Sequence, residues 1–473
     1  MFVGGSWVEA SSGERLVSVD PTTEQPLGSF PDAAPEDVDR AVRAACRAAA
    51  GWRDLGWQRR AGLLRELASR IEKAEDRFAD LDVADSGNPV TGMRADARSA
   101  AAEVRYYAGI APGATGSTPL GPTDTLSYTV REPYGVVGRV IPYNHPFKFA
   151  AAKIAAPLAA GNAVVLKPAE HTSLSALELA RLTEDLLPPG VLNVVTGRGP
   201  RAGQALVAHP DVPRVAFTGS VATGQAVLRA AAEEIKHVSL ELGGKNPLIV
   251  FPDVDPVRAA HAAVDGMNIA RCTGQSCGST SRIYVHDDIR SPFLEALVDR
   301  VRGLRIGDPR EEGTEVGPLA FREHYERVLA HIAGGVRDGA TVVTGGGRPS
   351  GPARGFFVEP TVFTGVEDSM PIAQQEIFGP VISVLSWRDV DDVVRRANAL
   401  PLALTAAVWT NDVSAAHRTA RDLEAGYIHV NGSGRRPLGA PFGGWKSSGL
   451  GKENSLDELV SYTREKTVTV TLL

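Results

Sequence analysis

The sequence predicts an α/β protein of two doubly wound units joined to a small β element, and three observations carry that prediction. From Gly135 onward, β-rich runs (VVGRVI, AVVLKP, VLNVVTG, RVAFTGS) alternate with Ala-rich helical stretches. This is the rhythm of parallel strands covered by helices on both faces. It resumes after ELGGKNPLIVF and runs to a strand near Tyr427 to Val430, which makes a second unit. Two segments fit neither unit: GSTPLGPTDTLSYTVREPYG at 116–135, and the tail SYTREKTVTVTLL, whose alternating Thr and Val suit an exposed strand. Each is expected to reach a neighbouring subunit, where pairing protects an otherwise open edge.

Taken in order, Pro35 with Glu36 and Asp37 in its first turn opens a helix that Gly51 ends. Leu64, Leu67, Ile71, Ala74, Phe78 and Leu81 alternate spacings of three and four, predicting one core helix as far as Gly87. The most apolar stretch, FKFAAAKIAAPLAAGNAVVL from Phe147, is interrupted by Lys148, Lys153, Gly161 and Asn162. It reads as helix, turn and strand, not as a membrane span. In the second unit come a helix around Val257 to Ile269, the strand SRIYVH and a helix from Pro292.

Composition narrows the function. The 473 residues, 43% hydrophobic and 22% charged, suit a globular protein of two to four domain-sized units. A net charge of −6 is too mild to make nucleic acid or an anionic membrane the main partner, which leaves small molecules. Three cysteines, Cys46, Cys272 and Cys277, fit a reducing cytoplasm and not a disulfide framework. The opening MFVGGSWVEASSGE has neither the basic nor the apolar region of a secretory signal.

Among the motifs, no G-x-G-x-x-G stands at the first strand-to-helix turn, and FTGSVATGQ lacks the G-K-[ST] ending of a Walker loop. FTGS nevertheless ends a strand where Ser220 can cap a helix whose free N–H groups suit a pyrophosphate. VVTGRGPRAG holds Gly197, Gly199 and Gly203, alone an ordinary glycine-rich turn. GQSC puts Cys277 in the turn after a helix, where a lone cysteine is either a small buried hydrophobe or a reactive thiol. Cys272 and Cys277 lack the further ligands of a closed zinc site, so no metal is expected. Read alone, Glu241 of ELGGKNP is a strand-terminal charge and Asn144 of PYNHP a turn residue.

Together and in order, PYNHPF, KPAE, FTGS, ELGGKNP, GQSC, EIFGP and PFGGWKSSG resemble the NAD(P)-dependent aldehyde dehydrogenase superfamily, from Pro142 to Gly449. The resemblance implies a Rossmann-like cofactor domain (1–117 and 135–241), a catalytic domain (242–452) and an oligomerisation arm (118–134 and 453–473) of a homodimer or homotetramer. It makes Cys277 the nucleophile that yields a thiohemiacetal and then an acyl-thioester, Asn144 an oxyanion donor beside the Cys277 N–H, and Glu241 the base that activates the hydrolytic water. Lys167 and Glu170 fall at the adenine ribose, Gly219 and Ser220 at the pyrophosphate, and Glu376 and Phe378 at the nicotinamide ribose. Ile141, Pro142, Tyr143, Gly199, Gly203, Phe217 and Leu242 line the same path. Glu170 accepts ribose hydroxyls and repels a 2′-phosphate, favouring NAD, while Lys167 leaves room for NADP. Many members carry Trp where this chain has Tyr143.

The resemblance puts His145, Phe149, Arg271, Ser276 and the GSGRR loop from Gly432 at the substrate pocket. Arg435 or Arg436 is either a solvated loop arginine or the anchor for the carboxylate of a semialdehyde. Cys272 is close enough in sequence to Cys277 for oxidation to join them. The alternatives are a CoA-acylating semialdehyde dehydrogenase, whose branch generally lacks the glutamate at the position of Glu241, a cysteine esterase or hydrolase using His237 or His261, and a non-catalytic relative.

Overall fold

Residues 1–434 and 436–471 are described in the computed structural model. The four apolar runs after Gly135 become buried strands: Val136–Val140, Ala163–Lys167, Leu192–Val194 and Arg214–Thr218. With His237–Glu241 they lie parallel, in the spatial order 192–194, 163–167, 136–140, 214–218, 237–241. The runs are continuously apolar because helices cover both faces. Phe2–Val3 and Ser6–Trp7 extend one edge antiparallel, and Gly449–Leu450 extends the other, giving eight strands.

Strand order reverses at Val136–Val140, from which the chain winds first to one side and then to the other. In open α/β sheets ligands bind outside the carboxyl ends of the strands at such a reversal. Here the residues leaving the sheet at that point are 141–144 and 219–220.

The second sheet runs Thr341–Thr344, Thr361–Thr364, Val381–Trp387, Arg282–His286, Pro247–Val250, Thr405–Trp409, Tyr427–Val430, all parallel except the first. Only the connector 242–246 separates His237–Glu241 from Pro247–Val250. The carboxyl end of one sheet therefore abuts the amino end of the other. Arg282–His286 starts at that same end, so the loop before it, with Cys277, returns to the junction.

Two expectations are corrected. The first helix continues through Gly51 to Asp54, because Gly51 keeps helical geometry, and the break comes at Gly56, whose φ is +78°. The long apolar stripe belongs to two helices, Trp57–Lys73 and Glu75–Ser86, broken at Ala74 (φ −106°, ψ 16°). Periodicity reads through the break because Leu64, Leu67, Ile71 and Phe78 still enter one core. Gly87 does end the stretch, at φ +76°. The two segments that fit neither sheet lie side by side. Thr125–Pro133 and Thr463–Thr471 pair antiparallel with each other over their full length, so each satisfies one edge of the other in a ribbon outside both sheets.

The apolar stretch from Phe147 is the helix Pro146–Ala160, closed by Gly161 at φ +99°, and then the strand Ala163–Lys167. No helix among the described residues is long and apolar enough to cross a membrane.

Candidate active site

Cys277 sits half-buried in the turn between Ile269–Cys272 and Arg282–His286. Asn246 fixes that turn, its Nδ2 donating to the Cys277 carbonyl at 2.8 Å and to that of Ser279 at 2.9 Å, while its Oδ1 accepts the Thr405 N–H at 3.0 Å. Gly274 allows close packing of the loop: its φ is +73° and a Cβ there would stand 2.5 Å from the Gly379 carbonyl oxygen. Burial pushes the Cys277 thiol up to about 11. The Arg436 guanidinium pulls it back, while the charges of Glu376 and Glu241 add to the rise.

Asn144, buried, donates through Nδ2 to the Gln275 carbonyl at 2.8 Å and is held through its own carbonyl by Asn88 Nδ2 at 2.8 Å. The single bond to Gln275 leaves the second amide proton of Asn144 without an acceptor among the described residues. No described residue accepts the Cys277 N–H either.

Glu241 ends its strand as a buried carboxyl, and neither oxygen has a hydrogen-bond partner among the described residues. Burial raises this carboxyl well above the carboxylate range. Glu453 raises it further, and Lys153 and Arg436 oppose. Beside it Glu453 is ion-paired with Lys153 and, at 2.5 Å, with Arg139. Gly443 of PFGG makes the space for Glu241, since a Cβ there would lie 2.7 Å from Oε1 and 2.6 Å from the Gly451 carbonyl oxygen.

The residues expected along the cofactor path surround the end of the first sheet where strand order reverses. Lys167 Nζ and Glu170 Oε2 pair at 3.1 Å, and Gly199 N–H points at Glu170 Oε1 at 3.4 Å. Burial would raise the Glu170 carboxyl, but Lys167 holds it below its ordinary value. Ser220 caps Val221–Ala232, its side chain accepting the Thr223 N–H. Gly219 must lack a Cβ, which would fall 2.5 Å from the Phe217 ring, and Gly224 leaves room for Leu242, 2.7 Å from where a Cβ would stand. Gly203 is buried, yet nothing lies within 4 Å of its Cβ position. Ile141 N–H donates to the Lys167 carbonyl at 3.1 Å, tying the two motifs together. Half-buried Pro142 and Tyr143 follow, and the Tyr143 ring meets Phe378 edge-on at 5.8 Å. Phe378 has φ +59°, and its carbonyl accepts from His324 Nε2 at 2.8 Å.

Glu376 accepts the Gly244 N–H at 3.0 Å and lies over Gly243, where a Cβ would collide with it at 2.0 Å. Burial pushes its carboxyl up to about 7, against the Gly244 N–H and Lys245. A cleft behind the cysteine loop is bounded by Glu376, Phe378, Gly244, Gly274, Ser276 and Ser279. A capped helix start for a pyrophosphate, carboxylates at two separated points for ribose hydroxyls, and open space at Gly203 together fit a dinucleotide.

On the substrate side, Asp96 ties His145 Nδ1 at 2.5 Å and pairs with Arg271. Burial would raise the Asp96 carboxyl, but His145 and Arg271 hold it well below its range. Phe149 packs edge-on to His145. Arg435 lies outside the described residues, whereas Arg436 is exposed and stacks on Phe442. Cys272 is buried, its thiol donating to the Asn268 carbonyl at 3.5 Å, and burial raises it above an ordinary thiol. The described residues contain no group of three or more His, Cys, Asp or Glu placed to hold a metal ion.

Sequence reading missed Asn246, Asn88, Gly443 and the Arg139–Lys153–Glu453 cluster. The first and third stand inside quoted motifs, so adjacency to Glu241 and to the PFG turn was the available signal. Nothing local marks Asn88 or the charge cluster, whose members meet only through the fold.

The chain matches the aldehyde dehydrogenase family over residues 7–468. It is 42% identical to the aldehyde dehydrogenase tropH of Talaromyces stipitatus, over 100% of this chain and 93% of that protein. It is 41% identical to the betaine aldehyde dehydrogenase of Brucella canis, over 99% of this chain and 96% of that one. Its fold superposes on the NAD+ complex of an aldehyde dehydrogenase from Bacillus cereus with a TM-score of 0.97 at 41% identity, covering 100% and 96% of the two chains.

Proposed function

Because the chain belongs to the aldehyde dehydrogenase family and is an enzyme that oxidises an aldehyde with NAD, we propose that Cys277 carries the acyl group and that Glu241 delivers the water that releases it as a carboxylic acid. The observation that carries this reading is the buried Glu241 carboxyl, with neither oxygen engaged by any described residue, beside the cysteine turn where the two sheets meet.

Cys277 gives its proton to solvent water, and its thiolate adds to the carbonyl carbon, placing the negative charge on oxygen. The Cys277 N–H and the second Asn144 amide proton, which have no acceptor among the described residues, receive that charge. Losing one such donor costs about 2.7–4 kcal/mol, so Asn144→Ala is expected to lower kcat roughly 10²–10³-fold. When bound, the oxidised nicotinamide supplies the acceptor for the hydride that leaves the adduct. Lys167, Glu170, Ser220, Glu376 and Phe378 would hold the dinucleotide, with Gly203, Gly219 and Leu242 shaping its path. In the second half, Glu241 takes a proton from water, the hydroxide adds to the thioester carbonyl, and the Cys277 thiolate leaves. Its raised carboxyl makes Glu241 a stronger base than an exposed glutamate.

We assign the cofactor to the eight-stranded sheet and substrate binding to the junction. The free ribbon fits a homodimer or homotetramer, and three unpaired cysteines fit the cytoplasm. The test is reduced-nicotinamide formation over a panel of aldehydes, with and without CoA. Turnover without CoA, abolished by Cys277→Ala, is expected; turnover only with CoA would place the chain in the acylating branch.

A further inference from the structure

A row of aromatic rings crosses from loops of the first sheet to loops of the second. Its meaning rests on the reading that Lys167, Glu170, Glu376 and Phe378 hold the dinucleotide. The row starts at His171, the residue after Glu170, whose imidazole lies flat on the Phe321 ring with centroids 3.8 Å apart and planes 7° from parallel. Phe321 in turn meets Tyr143 edge-on at 5.0 Å, and Tyr143 meets Phe378. His171 and Tyr143 leave the eight-stranded sheet, whereas Phe321 and Phe378 belong to the seven-stranded one. The row therefore begins beside Glu170 and ends beside Glu376 in the chain, spanning the interval between the two carboxyls assigned to the two riboses.

Phe321 stands there against a local preference. It is the N-cap of the helix Arg322–Arg337, in extended backbone (φ −156°, ψ 161°), and its side chain gives no hydrogen bond to the free N–H groups of the first turn. Ser, Thr, Asp or Asn at this position would satisfy one of them. A local rule overridden without a local gain marks a place where function is expected to act. Elsewhere the row is tied down: Thr172 Oγ1 donates to the Tyr143 carbonyl at 3.4 Å, and Arg327 Nη2 donates to His324 Nδ1 at 3.4 Å, leaving Nε2 to hold the Phe378 carbonyl. A phenyl ring makes no such bond, so stacking alone joins the side chains of His171 and Phe321, a contact that is weak enough to break and remake. Both rings are half-buried and border a groove of about 390 Å³ shared with Val17, Val19, Glu24 and Phe356, which gives them room to part.

We propose that the His171–Phe321 stack is a clasp between the two sheets that opens to let the reduced dinucleotide leave, so that these two residues set how long the cofactor stays and take no part in the chemistry at Cys277.

The experiment follows NADH release from the full enzyme by stopped-flow fluorescence, on displacement with excess NAD, in the wild type, Phe321→Ser, Phe321→Tyr, His171→Ala and the double variant Phe321→Ser with His171→Ala. Breaking the stack from either side is expected to quicken release about threefold to tenfold, the factor an aromatic pair is worth, while Phe321→Tyr keeps the ring and stays within about twofold of the wild type. The double variant should release no faster than the faster single one, because both changes remove the same contact. Phe321→Ser supplies the missing helix cap, so it is expected to melt no lower than the wild type. Release unmoved in both Phe321→Ser and His171→Ala, or two effects that multiply in the double variant, would overturn the clasp. Glu376→Ala reports separately on the reading beneath it: weakened NADH binding supports the dinucleotide path, and unweakened binding would overturn that path and the clasp with it.

Discussion

At the scale of single residues, Cys277 rests as a thiol, because its surroundings offer little to stabilise a thiolate and push its titration up to about 11. About one molecule in 10⁴ then carries the thiolate at pH 7, and that fraction grows tenfold with each pH unit until the thiol titrates. Alkylation of Cys277 by iodoacetamide in the NAD-free enzyme, followed by mass spectrometry, should therefore quicken about tenfold per unit between pH 7 and pH 9. A rate that levels off near pH 8 would show a thiolate stabilised by its neighbours and would contradict a thiol held up near 11. Cys277 and Glu241 were singled out only through the resemblance carried by the strings GQSC and ELGGKNP, since read alone one is a turn cysteine and the other a strand-terminal charge. Asn246, whose amide holds the Cys277 carbonyl, stood in one of those strings with no sign of its task. A side chain that bonds to backbone far along the chain leaves no mark in local pattern.

Among the elements, the strand His237–Glu241 and the segment 441–451 must pass each other closely for Glu241 to point where it does. Gly443→Ala would push a methyl group toward Glu241 Oε1 and the Gly451 carbonyl oxygen, at 2.7 and 2.6 Å. The expected result is a fall in steady turnover with the first-turnover burst preserved, since water activation suffers and acylation does not; loss of burst and steady rate in equal measure would count against it. Strands in the two sheets were legible because buried parallel strands are unbroken apolar runs. The break at Ala74 was not, because two helices feeding one core in phase carry the same stripe as one long helix. Gly51 misled for the opposite reason: an exposed glycine weakens a helix by only about 1 kcal/mol, which neighbouring turns override.

At the scale of the whole molecule, the ribbon Thr125–Pro133 with Thr463–Thr471 stands outside both sheets, exposing Leu126 and Val470 at 44% and 41%. An edge of this kind is expected to be covered by a second copy, so the proposed homodimer or homotetramer should fall to monomers in light scattering on Leu126→Asp with Val470→Asp. Unchanged mass would move the interface elsewhere. The pairing of these two segments could not be read from the sequence, because they lie more than 300 residues apart and only antiparallel register joins them. The same long-range logic brings the end of one sheet against the start of the other, and the proposal placed there is that Cys277 and Glu241 act together as acyl carrier and base. It is tested most directly by rapid-quench kinetics and intact-mass analysis of Glu241→Gln mixed with NAD and an aldehyde that the wild type turns over. One equivalent of reduced nicotinamide per site, an acyl mass adduct on Cys277 and a steady rate reduced at least 10²-fold are expected. Multiple turnovers at an undiminished rate, with no adduct on Cys277, would contradict it.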